Sequence, residues 1–390
     1  VSGAAADSPW GAWAQAESEA VLAAGQWRAP RTFAPEPGSG VEGSVASTPG
    51  APADRSVVSF AANDYLGLTH HPAVIAAAHE AIDRWGTGAA AARLIVGSRP
   101  VHDQLEVALA EWKHNERAVL FATGFAANLG VLTTFAGPDV LVCSDALNHA
   151  SLVDGRRLAG APLAVYRHCD ADHVDALLRD ARSERAVVVT ESVFSMDGDV
   201  APVDDLVEIC ARHGALLVVD EAHAVLGPDP DVGDAEVLRV GTLSKTLGAL
   251  GGYVTGPGRF TDLLVNRARS YIFTTASTPA DAAAALAAVG VVRSPEGDAL
   301  RARLRANIDR VRAGHPSPII PYLCGTEARA LAAAAALLDE GLLVTAIRPP
   351  TVPPGTSRLR VAISATHDDV QLDHLVAALD HVLPADGTTS

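Results

Sequence analysis

Lysine is nearly absent from this 390-residue sequence: of 30 basic residues only two, Lys113 and Lys245, are lysines. Arginine stays protonated and cannot form an imine, whereas a lysine of lowered pKa can, so a lysine kept in a polar loop has a chemical motive. Cysteine is scarce too. Cys143, Cys169, Cys210 and Cys324 lie far apart with no C-x-x-C pair, which argues against a metal centre or a disulfide framework and for reduced thiols in the cytoplasm. No apolar run reaches membrane-spanning length, and Val1 to Trp13 lack the basic-then-apolar order of a secretory signal, so a soluble, untargeted chain is expected. Positive charge is also short: a net charge of -16 and a pI near 5.2 provide no long-range field for nucleic acid or anionic lipid.

What is present is an α/β texture. With 48% hydrophobic residues, the chain can bury one large core and a smaller second one. Residues 31–55, rich in Pro, Gly, Ser and Ala without an apolar period, read as an irregular arm. From Val57 the short runs VLVC (140–143), LAVY (163–166), AVVVT (186–190), ALLVVD (215–220) and VLRVGT (237–242) alternate with amphipathic stretches. That is the pattern of a mainly parallel sheet covered by helices on both faces. A connecting helix is expected from Pro202 to Gly214, with Val203, Leu206, Val207 and Cys210 on one face. After about residue 290 a smaller α/β unit is expected: helices near 298–313 and 327–340, strands near Ile319, at 342–347 and at 358–364, and a final helix burying Leu372, Leu375, Val376, Leu379, Val382 and Leu383. The expected organisation is a partly irregular N-terminal arm (1–56), a large domain (57–290) and a small C-terminal domain (291–390).

In open parallel sheets ligands sit beyond the carboxyl ends of the strands. Three polar segments follow apolar runs in this way: Thr190-Glu191-Ser192-Val193-Phe194-Ser195, Asp220-Glu221-Ala222-His223 and Thr242-Leu243-Ser244-Lys245. Asp220 ends a buried strand, Lys245 follows 25 residues later among small and hydroxyl residues, and Gly124-Phe125 opens a helix whose N–H groups suit a phosphate. Together these meet the needs of pyridoxal phosphate: a lysine to hold it as an imine, a carboxylate at its ring nitrogen and donors for its phosphate. Singly each has an ordinary structural alternative, such as a strand-end cap, a packed histidine or a solvated loop.

The segments N-D-Y-L-G-L (63–68), T-G-F-A-A-N (123–128), N-H-A-S-L (148–152), E-S-V-F-S-M-D-G-D (191–199), D-E-A-H (220–223), T-L-S-K-T-L-G (242–248) and R-P-P-T-V-P-P-G-T-S-R-L-R (348–360) resemble the α-oxoamine synthases. The resemblance runs from about Asn63 to the end. It implies a fold-type I pyridoxal 5'-phosphate-dependent transferase that condenses an amino acid with an acyl thioester and releases CO2, working as a homodimer with shared sites. The 346–360 segment most resembles members that join L-alanine to a pimeloyl thioester, carried by CoA or by a carrier protein, in biotin formation. The resemblance also implies roles. Lys245 is the imine lysine and the base at the substrate Cα; Asp220 pairs with the pyridine nitrogen; His223 and Ser195 bond the ring's phenolic oxygen; His149 stacks on the ring. Gly124, Phe125 and Thr242 match phosphate-side positions, and Thr275 reaches the phosphate of the neighbouring subunit. Arg360 is the amino-acid carboxylate clamp, a task suited to a planar guanidinium, with Arg348, Thr351 and Asn63 as further substrate contacts. Strand alternation puts Arg358 on the same face as Arg360, and only motif position favours Arg360. Asn63 and His102 are equally readable as structural residues.

The sequence departs from the family's pattern in the Ala-rich stretch 86–97, in the short loop after His223 and near 315–321, and neither Arg28 nor Arg31 is singled out as a guide for the acyl group. Competing readings are a sister synthase using glycine or serine, a cofactor-binding scaffold without turnover and, remotely, a nucleotide-hydrolysing motor suggested by D-E-A-H and S-K-T. The motor reading lacks the glycine amides of G-x-x-x-x-G-K-[ST], and its elements stand in the wrong order.

Overall fold

The β-branched runs become strands within a residue or two of their expected limits. The computed structural model describes residues 8–46, 53–227 and 229–383. In chain order the strands are β1 (Phe33–Pro35), β2 (Glu42–Ala46) and β3 (Ala53–Ser59). Then come β4 (Arg117–Phe121), β5 (Val140–Asp145), β6 (Leu163–Tyr166), β7 (Arg185–Glu191), β8 (Leu216–Asp220), β9 (Glu236–Thr242) and β10 (Gly252–Gly256). β11 (Ile319–Gly325), β12 (Leu342–Leu343), β13 (Thr345–Ile347) and β14 (Ser357–Ala362) close the series. The chain divides into two units, Ala62–Ile320 with Ala362–Asp373, and Val1–Ala61 with Pro321–Val361 and His374–Ser390. These units interleave in sequence, whereas the boundaries expected at 56/57 and 290/291 are contiguous.

The larger unit holds a seven-stranded sheet in the order β4-β10-β9-β8-β7-β5-β6. β5 to β9 run parallel, and β10 is antiparallel to both β9 and β4. Period-two alternation sorts the strand residues onto two apolar faces. Val187, Val189, Val218 and Val240 pack with Val131 and Leu132 of the helix Gly124–Phe135. Val188, Leu217, Val219 and Val237 pack with Leu206 and Cys210 of the helix Val203–His213, which follows Pro202 and stops at left-handed Gly214, φ +63°. Fully burying one such side chain stabilises by about 1.5–3 kcal/mol, so both faces anchor the sheet. β4 points the same way as β5 to β9, so Phe121, Asp145, Tyr166, Glu191, Asp220 and Thr242 all end strands at one edge.

The other unit corrects two expectations. Residues 31–55 do not form an irregular arm: β1, β2 and β3 pair antiparallel, and β3 pairs parallel with β12. Residues 1–7 and 47–52 lie outside the described residues. Glycine misled the reading because at Gly43 it serves packing; a Cβ there would sit 2.5 Å from the Ala34 carbonyl oxygen and 2.7 Å from the Phe33 ring. The single strand expected at 342–347 is split at Val344, because β12 joins β3 while β13 pairs with β14. The final helix, Asp369–Val382, buries Leu372, Leu375 and Leu379, and leaves Val376 and Val382 half-buried.

Candidate active site

Asp220 is the hub of the edge where the parallel strands end. It is buried, and its Oδ2 accepts the Asn128 amide at 2.7 Å while its Oδ1 accepts the Ala222 N–H at 2.9 Å. Asn128 projects from the helix Gly124–Phe135 and also donates to Ser151 Oγ at 2.9 Å. Ser151 in turn meets His149, with Oγ 2.8 Å from Nδ1 and its N–H donating to that nitrogen at 3.3 Å. A ring nitrogen that accepts from a backbone N–H carries no proton itself, so His149 is the Nε2–H tautomer. Although His149 is exposed, desolvation by the protein around its ring, reinforced by the Lys245 charge against an opposing pull from Asp220, lowers its pKa. A neutral imidazole suits stacking on an electron-poor ring.

Glu191, at the end of β7, is the residue sequence reasoning passed over. Burial and then the neighbouring Asp220 charge push its pKa up to about 8, against the opposing pull of the Ser195 and His149 N–H groups and of Lys245. Its Oε2 accepts the Ser195 N–H at 3.2 Å, while its buried Oε1 has no hydrogen-bond partner among the described residues. Lys245 therefore acts electrostatically on both His149 and Glu191 from the half-buried loop after β9. His223 is buried and its Nδ1 lies 2.6 Å from the Tyr65 hydroxyl, which reaches Asn63 Oδ1 at 3.1 Å. Asn63 thus stands in a chain of hydrogen bonds leading to His223. Asn128, Ser151 and Tyr65 stood inside quoted motifs, yet no local spacing marks a residue whose partner lies on another strand.

At the other end of the site the helix Gly124–Phe135 begins, with Thr123 Oγ1 accepting from Ala126 N–H at 3.0 Å. Its first-turn N–H groups and dipole make an anion site. Gly252 allows the close approach behind it: a Cβ there would lie 2.4 Å from the Thr123 carbonyl and 2.5 Å from Gly124 N. Thr242 donates to the Gly251 carbonyl at 3.0 Å and touches Ser244 Oγ at 2.8 Å, and its Cβ would lie 3.2 Å from a Cβ on Gly124. Phe125 meets His149 edge to face, centroids 6.4 Å apart. One strand edge thus holds a lysine, a carboxylate with one hydrogen-bonding face set by Asn128, a neutral histidine and an anion-binding helix end. This donor set fits a phosphorylated pyridine aldehyde, and the partnerless Glu191 Oε1 and Asn128 Oδ1 add polar atoms suited to a ligand.

His102 is fully buried, with Nδ1 accepting the Arg99 N–H and Nε2 on the Ser277 carbonyl, each at 2.9 Å; it is a helix-capping residue. Thr275 is exposed in the loop after the helix Arg269–Ile272. In the other unit Arg358 and Arg360 are both buried, opposite Ile347 and Thr345. Arg348 donates to the Gly25 and Trp27 carbonyls, and Arg28 donates to Thr351 Oγ1 at 3.2 Å.

Residues 55–379 match the aminotransferase class I and II family. The chain belongs to that family. Within it, the chain is 50% identical over 390 residues to 8-amino-7-oxononanoate synthase of Anaeromyxobacter dehalogenans (strain 2CP-1 / ATCC BAA-258), covering 95% of this chain and 96% of that protein. Identity to the enzyme of the same name from Methylobacterium sp. (strain 4-46) is 46% over 345 residues, 86% of this chain and 90% of that one. Among solved structures, serine palmitoyltransferase from S. paucimobilis with a bound PLP adduct of myriocin superposes with a TM-score of 0.86 at 28% identity, over 95% of this chain and 96% of that one. The 8-amino-7-oxononanoate synthase of Francisella tularensis gives 0.70 at 26% identity, over 84% and 96%. Membership of the aminotransferase family makes the α/β architecture that of a fold-type I transferase.

Proposed function

We propose that this enzyme condenses L-alanine with a pimeloyl thioester, releasing CO2 and the thiol carrier, to give 8-amino-7-oxononanoate for biotin formation. The observation that carries the reading is the joint presence of Lys245, Asp220, His149 and Glu191 at one strand edge, in a chain half identical to relatives bearing that enzyme name. Pyridoxal 5'-phosphate is the cofactor, and when bound it supplies an electron sink for negative charge at the amino-acid Cα. Lys245 is the residue that holds it and the base whose Nζ takes and returns the Cα proton. Asp220, kept in line by Asn128, faces the ring nitrogen. The helix start at Gly124 and Phe125, with Thr242, receives the phosphate. His223, backed by Tyr65, and Ser195 address the phenolic oxygen, and His149 covers the ring. Arg360 takes the substrate carboxylate, with Arg348, Thr351 and Asn63 as further substrate contacts.

The same reading makes the enzyme a cytoplasmic homodimer, with Thr275 directed at the partner's phosphate site. Free thiols at all four cysteines support the compartment, and no described helix is long and apolar enough to cross a membrane. The test is a thiol-release assay that pairs L-alanine, glycine and L-serine with several acyl thioesters. Turnover with alanine and the seven-carbon dicarboxylic acyl group supports the reading. Turnover with glycine or serine alone moves the enzyme to a sister synthase, and Lys245→Ala retaining full turnover would overturn the mechanism.

A further inference from the structure

Two loops of the site are joined by a residue outside every motif. His168 follows β6; its Nδ1 lies 2.8 Å from Asp145 Oδ1, and its Nε2 bonds Asp199 Oδ2. A neutral imidazole has one N–H, and two carboxylate acceptors require two, so the ring is an imidazolium. Asp145 ends β5 and also accepts the Leu147 N–H at 2.8 Å and the Cys169 N–H at 2.9 Å, which fixes the turn leading into His149. Asp199 closes the turn that holds Ser195: Phe194 N–H donates to the Asp199 carbonyl at 3.0 Å, and Gly198 N–H to the Phe194 carbonyl at 2.8 Å. The His168 ring stands edge-on to Phe194, centroids 4.4 Å apart.

Resting on the function proposed above, we infer that His168 is a positioning residue whose imidazolium bridges Asp145 and Asp199 and so sets the spacing between His149 and Ser195. The titratable and charged groups facing it are Asp145 from β5, Asp199 from the turn after β7 and Cys169, whose Sγ lies 3.5 Å from Nε2, with His315 acting on Asp199 from beyond. The bonds to Asp145 and Asp199 push the His168 pKa up to about 12, so the bridge persists well above neutral pH. Donor atoms of Asp145, His168 and Cys169 lie within 4.8 Å of one another, close enough for a cation. With both ring nitrogens on carboxylates, however, protons occupy the positions a metal ion would need.

Nitrogen-15 NMR of the histidine rings in cofactor-free protein reads the bridge directly. Two ring N–H signals, lost in His168→Gln and unmoved by added Zn2+, are expected to persist above pH 8. A neutral ring at pH 8, or ring protons displaced by stoichiometric Zn2+, overturns the proposal. In the holoenzyme, His168→Gln should shift the visible band of the bound cofactor and lower kcat roughly 10- to 100-fold, the cost of displacing a reacting group by about an ångström. Asp199→Asn, at a half-exposed carboxylate, should do the same and serves if His168→Gln does not fold; the double variant should be no worse than either single one. Wild-type spectra and turnover in both variants would sink the idea. If the wild type binds cofactor yet turns over no amino acid, the functional reading fails while the ring protons and cofactor band still decide the bridge.

Discussion

Glu191 carries a proton at neutral pH, and this leaves a mark on stability. In the unfolded chain its carboxyl ionises near 4.5, and in the folded protein burial beside Asp220 delays that to about 8. Between those values the folded state binds the extra proton, so stability falls as pH rises through the window and levels off above it. Glu191→Gln keeps an acceptor for the Ser195 N–H and removes the titration. Its melting temperature should gain on the wild type steadily from pH 5 to pH 8; a constant difference would contradict the assignment. Lysine scarcity pointed at Lys245 for a sound chemical reason, yet it fits Lys113 equally. Lys113 is buried; burial pulls its pKa down, but Glu221 at 3.0 Å and Asp229 at 3.2 Å outweigh that and raise it. Arg239 completes the cluster by bonding both carboxylates. Removing one member strands buried charge, so Lys113→Met should lower unfolding free energy by about 3–5 kcal/mol in a denaturant titration.

At the scale of elements, the sheet was legible because β5, β7, β8 and β9 are largely buried on both faces and spell out apolar, β-branched runs, and the ends of β7, β8 and β9 fall on Glu191, Asp220 and Thr242. The short strands β1 to β3 were not, because their glycines and prolines serve close packing and turns, which composition does not separate from irregularity. The same reason hid the contact between β10 and the helix start at Gly124. Gly252 shows no motif, but its missing Cβ leaves room for the Thr123–Gly124 peptide. Gly252→Ala has to push that peptide away by about an ångström to reach ordinary contact, and overpacking of this kind costs about 1–3 kcal/mol. Because the displaced N–H groups form the anion site, the variant should also release cofactor faster and lose affinity for inorganic phosphate. Unchanged cofactor affinity would show that the helix start does not hold the phosphate.

At the scale of the whole molecule, a single chain leaves apolar side chains in water on either side of the helix Arg269–Ile272. Leu94, Ile95 and Val96 are 50%, 74% and 69% exposed, and Phe273 is 70% exposed. The two segments are tied by the Ala276 N–H bonding the Ala91 carbonyl at 3.0 Å, and Thr275 stands between Phe273 and that bond. Contiguous exposed apolar surface of this kind marks an interaction face, and a twofold copy of the chain is its simplest occupant. Ile95→Asp with Phe273→Ala should therefore convert a dimer into monomer by light scattering and abolish turnover. If Thr275 serves the partner's phosphate site, Lys245→Ala in one chain and Thr275→Asp in the other fall in the same site of a mixed dimer, and the second site keeps both wild-type residues. Unfolding, mixing and refolding the two inactive variants then yields mixed dimers in about half of the population, each with one intact site, and restores about a quarter of wild-type activity. Were Thr275 to act within its own subunit, each site of the mixed dimer would carry one defect, and no mixture would recover activity above the better parent.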